Sequence, residues 1–304
     1  MTSKLIVLTE CFIHRSSTHE YSIRWTSIGS DNSPPLIFVH GTPWSSYVWQ
    51  RYVEALSLRH KIYIFDNPGF GESPGGRPLQ APTSTDDKIS EFDSSLAGQA
   101  EAFAALYHSW NFTSDRLPHI VAHDNGGLIT LRANLLHSCR YASLCLVDVV
   151  AVRPFGSPFF RLVAQNSSVF TSIPDTIFQG IVRAYIQDAS FRPLPKHVED
   201  TLVKPWIAGG SQGQVAFIRQ MVQADQRHAE EVEGRYAEVG SAMPVKVIWG
   251  KDDRWIPVER AEKLASMVGA TEVVLIGEAG HLIMFDQPER LATEISIWLM
   301  EASR

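Results

Sequence analysis

Cysteine is scarce in this chain: Cys11, Cys139 and Cys145 are the only three. An odd count excludes a fully paired disulfide framework, and no two of them stand at zinc-ligand spacing. Two of the three sit in apolar surroundings, so packing in a reducing compartment is the expectation. The histidines form no His-Glu-x-x-His pattern, so no metal site is expected. No apolar run approaches the ~20 residues of a membrane span. The short apolar run near the start, within Met1–Thr9, is too brief for the core of a secretory signal. Excess positive charge is missing as well. A net charge of −6 and an isoelectric point near 6.0 offer nothing to a nucleic acid or an anionic membrane. These absences describe a soluble, cytoplasmic protein that works without metal or cofactor; its oligomeric state is not legible.

What is present is an alternation. Residues 4–26 read as two or three short strands. A compact apolar strand at 36–39 ends in His40-Gly-Thr-Pro43, a helical pattern covers 47–58, and a strand at 61–65 runs into Asp66-Asn-Pro-Gly-Phe-Gly-Glu-Ser73. Residues 74–92, rich in Pro, Gly, Ser and Asp, read as a surface loop. A helix at 94–110, a strand at 119–123, a helix at 126–137 and a strand at 143–149 follow. Buried strands alternating with amphipathic helices predict a mostly parallel sheet covered on both faces, an α/β class.

The alternation stops near Arg153. Residues 153–240 hold helical patterns (158–170, 176–189, 197–206 and 214–239) and no convincing strand. The rhythm resumes with strand 245–249, helix 257–268, strand 272–276 and a closing helix at 287–301. The expected organisation is therefore a core of residues 1–152 and 241–304, with 153–240 as a helical lid over the carboxyl edge of the sheet, where ligands of open α/β sheets bind.

Chemistry concentrates at strand ends. Ala122-His-Asp-Asn-Gly-Gly127 puts Asp124 at the apex of a tight strand-to-helix turn, which thrusts its side chain toward a pocket. A serine there attacks carbonyl carbon; a carboxylate suits displacement at saturated carbon through an alkyl ester. Gly250-Lys-Asp-Asp-Arg-Trp-Ile-Pro257 follows a strand and places Asp253 just past it. Gly277-Glu-Ala-Gly-His-Leu282 does the same for His281.

The order nucleophile, acid, histidine, with an early His-Gly turn, resembles the α/β-hydrolase family over roughly residues 30–300. The resemblance implies that fold with an inserted lid, and roles for particular residues. Asp124 is then the nucleophile, His281 the base that activates water, and Asp253 the acid that orients His281. Asp148, at the end of the strand after the nucleophile helix, is the alternative acid, because some haloalkane dehalogenases carry theirs there. The backbone N–H groups of Thr42 and Asn125 form the oxyanion hole, each donor worth on the order of 3 kcal/mol.

Members with an aspartate nucleophile are chiefly epoxide hydrolases and the haloalkane and fluoroacetate dehalogenases. His40-Gly-Thr-Pro-Trp-Ser-Ser-Tyr-Val-Trp49 is similar to the corresponding stretch of haloalkane dehalogenases. Those enzymes hold halide with a tryptophan where Asn125 stands, and usually with an asparagine where Thr42 stands. His123 before the nucleophile is common in epoxide hydrolases, which protonate the opening oxygen with lid tyrosines; Tyr185 is the candidate here, with Tyr236 near the lid's end. His40, Trp44, His123, Tyr185 and Trp206 are the expected substrate contacts. Lid aromatics such as Phe155, Phe159, Phe160, Phe170 and Phe217 suit a small apolar organic substrate, with water the second reactant. Epoxide hydrolysis leads and dehalogenation follows. C–C, ester or lactone hydrolysis comes third, since Asp66–Ser73 resembles a turn of C–C hydrolases. A non-hydrolytic cyclase or lyase, or a ligand-binding receptor on the same fold, is the reading from a different class.

Overall fold

Strands that are apolar on both faces need cover on both faces. In the computed structural model, which describes residues 5–80 and 89–302, they have it. β1 (Glu10–Arg15) and β2 (His19–Ile28) are followed by β3 (Pro35–Val39), β4 (Lys61–Phe65) and a two-residue β5 (Arg77–Pro78). Then come β6 (His119–His123), β7 (Ser143–Val147), β8 (Val245–Gly250) and β9 (Glu272–Ile276). They form one sheet in the order β1-β2-β4-β3-β6-β7-β8-β9, with β5 on β2. β1, β2 and β5 pair antiparallel, and everything from β4 to β9 is parallel. Every residue of β3, β6, β7 and β8 is buried. At the edge, β9 exposes Glu272, Val273 and Leu275, as a strand with one neighbour can.

Helices close the crossovers. A single 3₁₀ turn at Ser46–Trp49 leads into α1 (Gln50–Leu56); α2 (Leu96–Ser109) and α3 (Asn125–His137) follow. Between β7 and β8 every element is a helix: α4 (Pro158–Gln165), α5 (Ser167–Thr171), α6 (Asp175–Asp188), α7 (Lys196–Ile207), α8 (Ser211–Val222), α9 (Arg227–Glu233) and α10 (Tyr236–Ala242). After β8 come α11 (Glu259–Val268), α12 (Ile283–Asp286) and α13 (Pro288–Ala302).

Two stretches expected as single helices are divided. Over 158–170 the break falls at Asn166, whose side-chain amide donates to the Leu162 carbonyl and so competes with the helix's own bonding. The stretch 214–239 becomes three helices. There the Asp225 carboxylate accepts from the Arg227 backbone N–H and starts a new helix in place of continuing the old one. The second helical break lies at Gly234. Of the expected loop 74–92, Arg77–Pro78 pairs as a strand, and residues 81–88 lie outside the described residues.

The helical segment is fixed to the rest of the chain by polar bonds. Asp286 accepts from the backbone N–H groups of Phe191 and Arg192 at 2.7 and 3.1 Å. The Trp206 indole donates to the Pro43 carbonyl at 3.0 Å, and Ser94 N–H donates to Gln223 Oε1 at 2.6 Å. The three cysteines are free, with Cys139 and Cys145 buried. Among the described residues no helix is long and apolar enough to cross a membrane.

One charge lies inside the scaffold itself. Lys246 on β8 is fully buried, with its ammonium 2.9 Å from carboxylate oxygens of both Glu294 and Glu272. Truncating one member of such a group strands the other's charge, whereas replacing the set with apolar volume is often neutral. Lys246→Ala is therefore expected to lower unfolding free energy by about 3 kcal/mol. The pair Lys246→Met with Glu294→Leu should lose much less, and urea unfolding of the two variants makes the comparison.

Candidate active site

The carboxyl ends of the parallel strands converge on one edge, and the turn after β6 is the sharpest feature there. Asp124 has φ 52° and ψ −129°, a conformation costly for a residue with a side chain. Its own carbonyl pins the turn by accepting from the N–H groups of Gly127 and Val150, each at 3.0 Å. Neighbouring backbone must then come very close. A Cβ on Gly41 would lie 2.3 Å from the Asp124 Cβ, and one on Gly126 would lie 2.8 Å from the His40 and Val39 carbonyls. Only glycine fits at either position.

The strained turn points the Asp124 carboxylate at two different donors. Oδ1 accepts from the Thr42 backbone N–H at 2.7 Å, and Oδ2 lies 3.1 Å from His281 Nε2. On its other side His281 Nδ1 is 2.9 Å from Asp253 Oδ2. Asp253 is held in turn by the N–H groups of Trp255 and Ile256, which donate to its Oδ1 at 2.7 and 2.9 Å. Burial favours a neutral His281, but the Asp253 charge and the hydrogen bonds to Asp124 and Asp253 outweigh it and push the imidazole up to about 10. At neutral pH the ring is therefore an imidazolium that donates from both nitrogens. Burial works against an ionised Asp124, yet the His281 hydrogen bond and charge hold its carboxyl below the usual range. Asp124 is ready as an anion.

Asp148 stands apart from this line. It too has positive φ, 44°, and its Oδ1 accepts from Gly250 N–H at 2.7 Å, while Oδ2 has no partner among the described residues. His281 is bonded to Asp253 and not to Asp148. Burial first, and then the nearby Asp253 charge, raise the Asp148 carboxyl well above the ordinary range, so it keeps its proton.

A cavity of about 20 Å³, room for roughly one water molecule, lies against Asp124. Thr42 and Asn125 form its floor, and the Asn125 side-chain amide donates to the Thr42 hydroxyl at 3.0 Å, tying the two together. Phe155, Ser157, Phe160 and Tyr185 come down from the helical segment, with Trp255 at the side. Burial pushes the Tyr185 phenol well above its usual range, against a weaker opposing contribution from the neighbouring Ser157 hydroxyl. It is a neutral donor at any moderate pH.

The other expected substrate contacts do not line this cavity. His40 is buried beneath the turn, its Nδ1 donating to the Gly41 carbonyl and its Nε2 accepting from Asn67 N–H. Burial and the adjacent His281 push the His123 imidazole down to about 3, and its Nε2–H donates to the His281 carbonyl. Trp44 stacks on Trp255 with ring centres 5.7 Å apart. Trp206 is committed to Pro43. These four shape the site from behind its walls. Tyr236 donates to the Ala151 carbonyl at 2.9 Å and likewise stays out of the cavity. Of the aromatics expected in a lid, Phe159 packs on Tyr185 and Phe217 on Trp206.

Among the lining residues that sequence reasoning passed over are Trp255 and Ser157. Trp255 lies inside the very motif that selects Asp253, but nothing in that spacing speaks for the residue between. Ser157 carries the ordinary signature of a helix cap followed by proline, and it does cap α4, accepting from Phe160 N–H. Among the described residues no cluster of His, Cys, Asp and Glu could hold a metal ion.

Residues 36–294 match the model of a family described as the alpha/beta hydrolase family. The chain belongs to that family. An alpha/beta hydrolase fold protein from Burkholderia ambifaria is 36% identical, with 96% of this chain and 98% of that one covered and a TM-score of 0.83. The dihydrolipoyllysine-residue acetyltransferase component of an acetoin cleaving system from Pseudomonas putida is 24% identical across 91% of this chain and 66% of its own length. Epoxide hydrolase 4 of Mus musculus is 21% identical across 97% of this chain and 81% of its own length. The chain spans 66% and 47% of the lengths of the first two curated relatives it matches.

A carboxyl that binds its proton more tightly folded than unfolded stabilises the fold at low pH and loses that contribution as pH rises. For Asp148 the loss begins near the ordinary 3.8 and continues toward its raised folded value. Asp148→Asn keeps the acceptor for Gly250 N–H and removes the titration. In thermal melts between about pH 4 and 8, the variant should gain on the parent as pH climbs. A difference independent of pH would mean that Asp148 is ionised in the folded protein.

Proposed function

We propose that this chain is a hydrolase that forms an alkyl ester on Asp124, and that its substrate is an epoxide on a small apolar molecule. The observation that carries this reading is the divided carboxylate: Asp124 Oδ1 rests on Thr42 N–H while Oδ2 meets His281, beneath the Tyr185 phenol. In the first step an Asp124 oxygen attacks an epoxide carbon, the C–O bond of the ring breaks, and the opening oxygen takes a proton from Tyr185. The His281 imidazolium then gives its proton to the Tyr185 phenolate, and in the second step the neutral ring removes a proton from water, whose oxygen adds to the ester carbonyl carbon. The resulting oxyanion sits against Thr42 N–H, with the Asn125 backbone N–H as the second donor, and its collapse releases a diol. Residues 153–240 act as the lid that supplies Tyr185 and keeps bulk water out.

Esterification also prepares the base. The resting His281 is held protonated by two anionic neighbours, and alkylation of Asp124 removes one of them. The imidazole's proton affinity falls, and the ring becomes able to accept a proton from water.

Hydrogen-bond accounting favours an epoxide over a halide. A departing halide needs hydrogen-bond donors, and near the nucleophile one Asn125 amide N–H is held on Thr42, the Trp206 indole on Pro43 and the Trp255 indole on Asp188. Tyr185 brings a neutral hydroxyl to the cavity lining. An alkoxide needs a proton, and a phenol provides one.

Intact-mass measurement of the His281→Gln variant with a panel of epoxides and alkyl halides tests the reading. The expected result is an adduct on Asp124 with the added mass of an epoxide. Binding without an adduct from any member of the panel would overturn the ester mechanism, and halide release by the parent protein would move the assignment to dehalogenation. The two steps should also separate by pH. Because Asp124 is ionised well below neutrality, kcat/KM should be flat above about pH 5. When ester hydrolysis limits turnover, kcat should fall with acidity through the His281 midpoint of the ester form, which lies below the resting value of about 10. Parallel loss of both parameters would contradict a switch triggered by alkylation.

A further inference from the structure

Trp255 follows Asp253 by two residues, and three of its groups are engaged at once. Its backbone N–H donates to Asp253 Oδ1 at 2.7 Å. Its ring lies over His281, with centres 5.1 Å apart and planes 29° from parallel. Its indole N–H donates to Asp188 Oδ2, at the end of α6, at 3.1 Å. Tyr185, three residues earlier on α6, stacks on the same indole with centres 4.2 Å apart. Arg254 strengthens the junction, donating to the Asp188 and Ser190 carbonyls at 2.9 and 2.8 Å. The acid, the base and the lid therefore meet on one residue, the acid on its backbone and the other two on its side chain.

We propose that Trp255 is a positioning residue through which the lid sets the orientation and charge of the His281 base. This rests on His281 acting as the base of the proposed reaction. An indole face attracts a cation, and imidazolium is one, so the stack favours the protonated ring and resists its rotation away from Asp124 and Asp253. The other titratable groups around His281 are Asp124 and Asp253 on its two nitrogens, His123 with its ring centre 4.7 Å away, and Asp148 behind Asp253. On the Trp255 side stand Tyr185, Asp188 and Arg254. His123 and Asp148 are neutral at moderate pH, so they contribute no charge that would move with a change at Trp255.

The test reads His281 directly, by nitrogen-15 NMR of histidine-labelled protein without substrate. Asp124→Asn serves as background, because it removes the same anion that ester formation removes. Trp255→Leu should reduce His281 proton affinity about five- to tenfold, close to one pH unit, and broaden its Nδ1–H signal. Trp255→Phe should restore most of the loss. Asp188→Ala, which removes the indole's hydrogen bond to the lid while leaving the Tyr185 stack, should reproduce part of it. An unchanged midpoint in Trp255→Leu overturns the proposal. If that variant does not fold, an unchanged midpoint in Asp188→Ala overturns the coupling to the lid. In the parent background, Trp255→Leu should slow ester hydrolysis more than ester formation. Absence of any ester would sink the assigned reaction while leaving the titration result standing, so the two failures are distinguishable.

Discussion

A buried imidazolium needs anions on both sides, and the line Asp124–His281–Asp253 provides them. The line makes demands far from itself. Its members are 157 and 28 residues apart in sequence, so they meet only if β6, β8 and β9 end at the same edge of one sheet. Parallel pairing provides that, because each right-handed crossover returns the chain to the same end. The strained turn at Asp124 is then held by close approach of Gly41 and Gly126 and by its bonded carbonyl. Strain at this point is tolerable because the sheet beneath it is buried on both faces and does not yield.

The fold was legible because its signals are local and repeated. Apolar runs such as Leu36–Val39 and His119–His123 have the length and cover of parallel strands, and the structure places β3 and β6 within a residue of them. The helical segment after β7 was legible for the same reason in reverse, through the absence of strand runs. Helix interruptions at Asn166 and Asp225 were not, since each depends on one side chain competing for backbone bonds that periodicity assigns to the helix.

The candidate site divides along a similar boundary. Asp124, Asp253 and His281 sit at strand ends within motifs of fixed spacing, and the structure brings the three within hydrogen-bond reach. Contacts across the cavity had no such signal. His40, Trp44, His123 and Trp206 have chemistry suited to a ligand, but their polar atoms or ring faces are taken up behind the walls. Trp255 and Ser157 line the cavity for reasons of tertiary packing alone. Residue type indicates what a side chain is able to do; which atoms remain free depends on neighbours distant in sequence.

Charge conservation within the buried cluster ties the chemistry to the fold. At rest it holds two anions, Asp124 and Asp253, and one cation, His281, while Asp148 and His123 are kept neutral by burial. The net charge is minus one. On the proposed chemistry, alkylation neutralises Asp124 and leaves Tyr185 a phenolate; transfer of the His281 proton to that phenolate then neutralises both, leaving Asp253 as the only charge. The cluster ready for water thus carries the same minus one as the resting cluster. A site sealed from solvent is poorly able to absorb a net change of charge, since burial penalises each unpaired ion by several kcal/mol. Keeping Asp148 protonated is part of that balance: an ionised Asp148 would add a second uncompensated anion in the ester state and hold His281 protonated when it must act as a base.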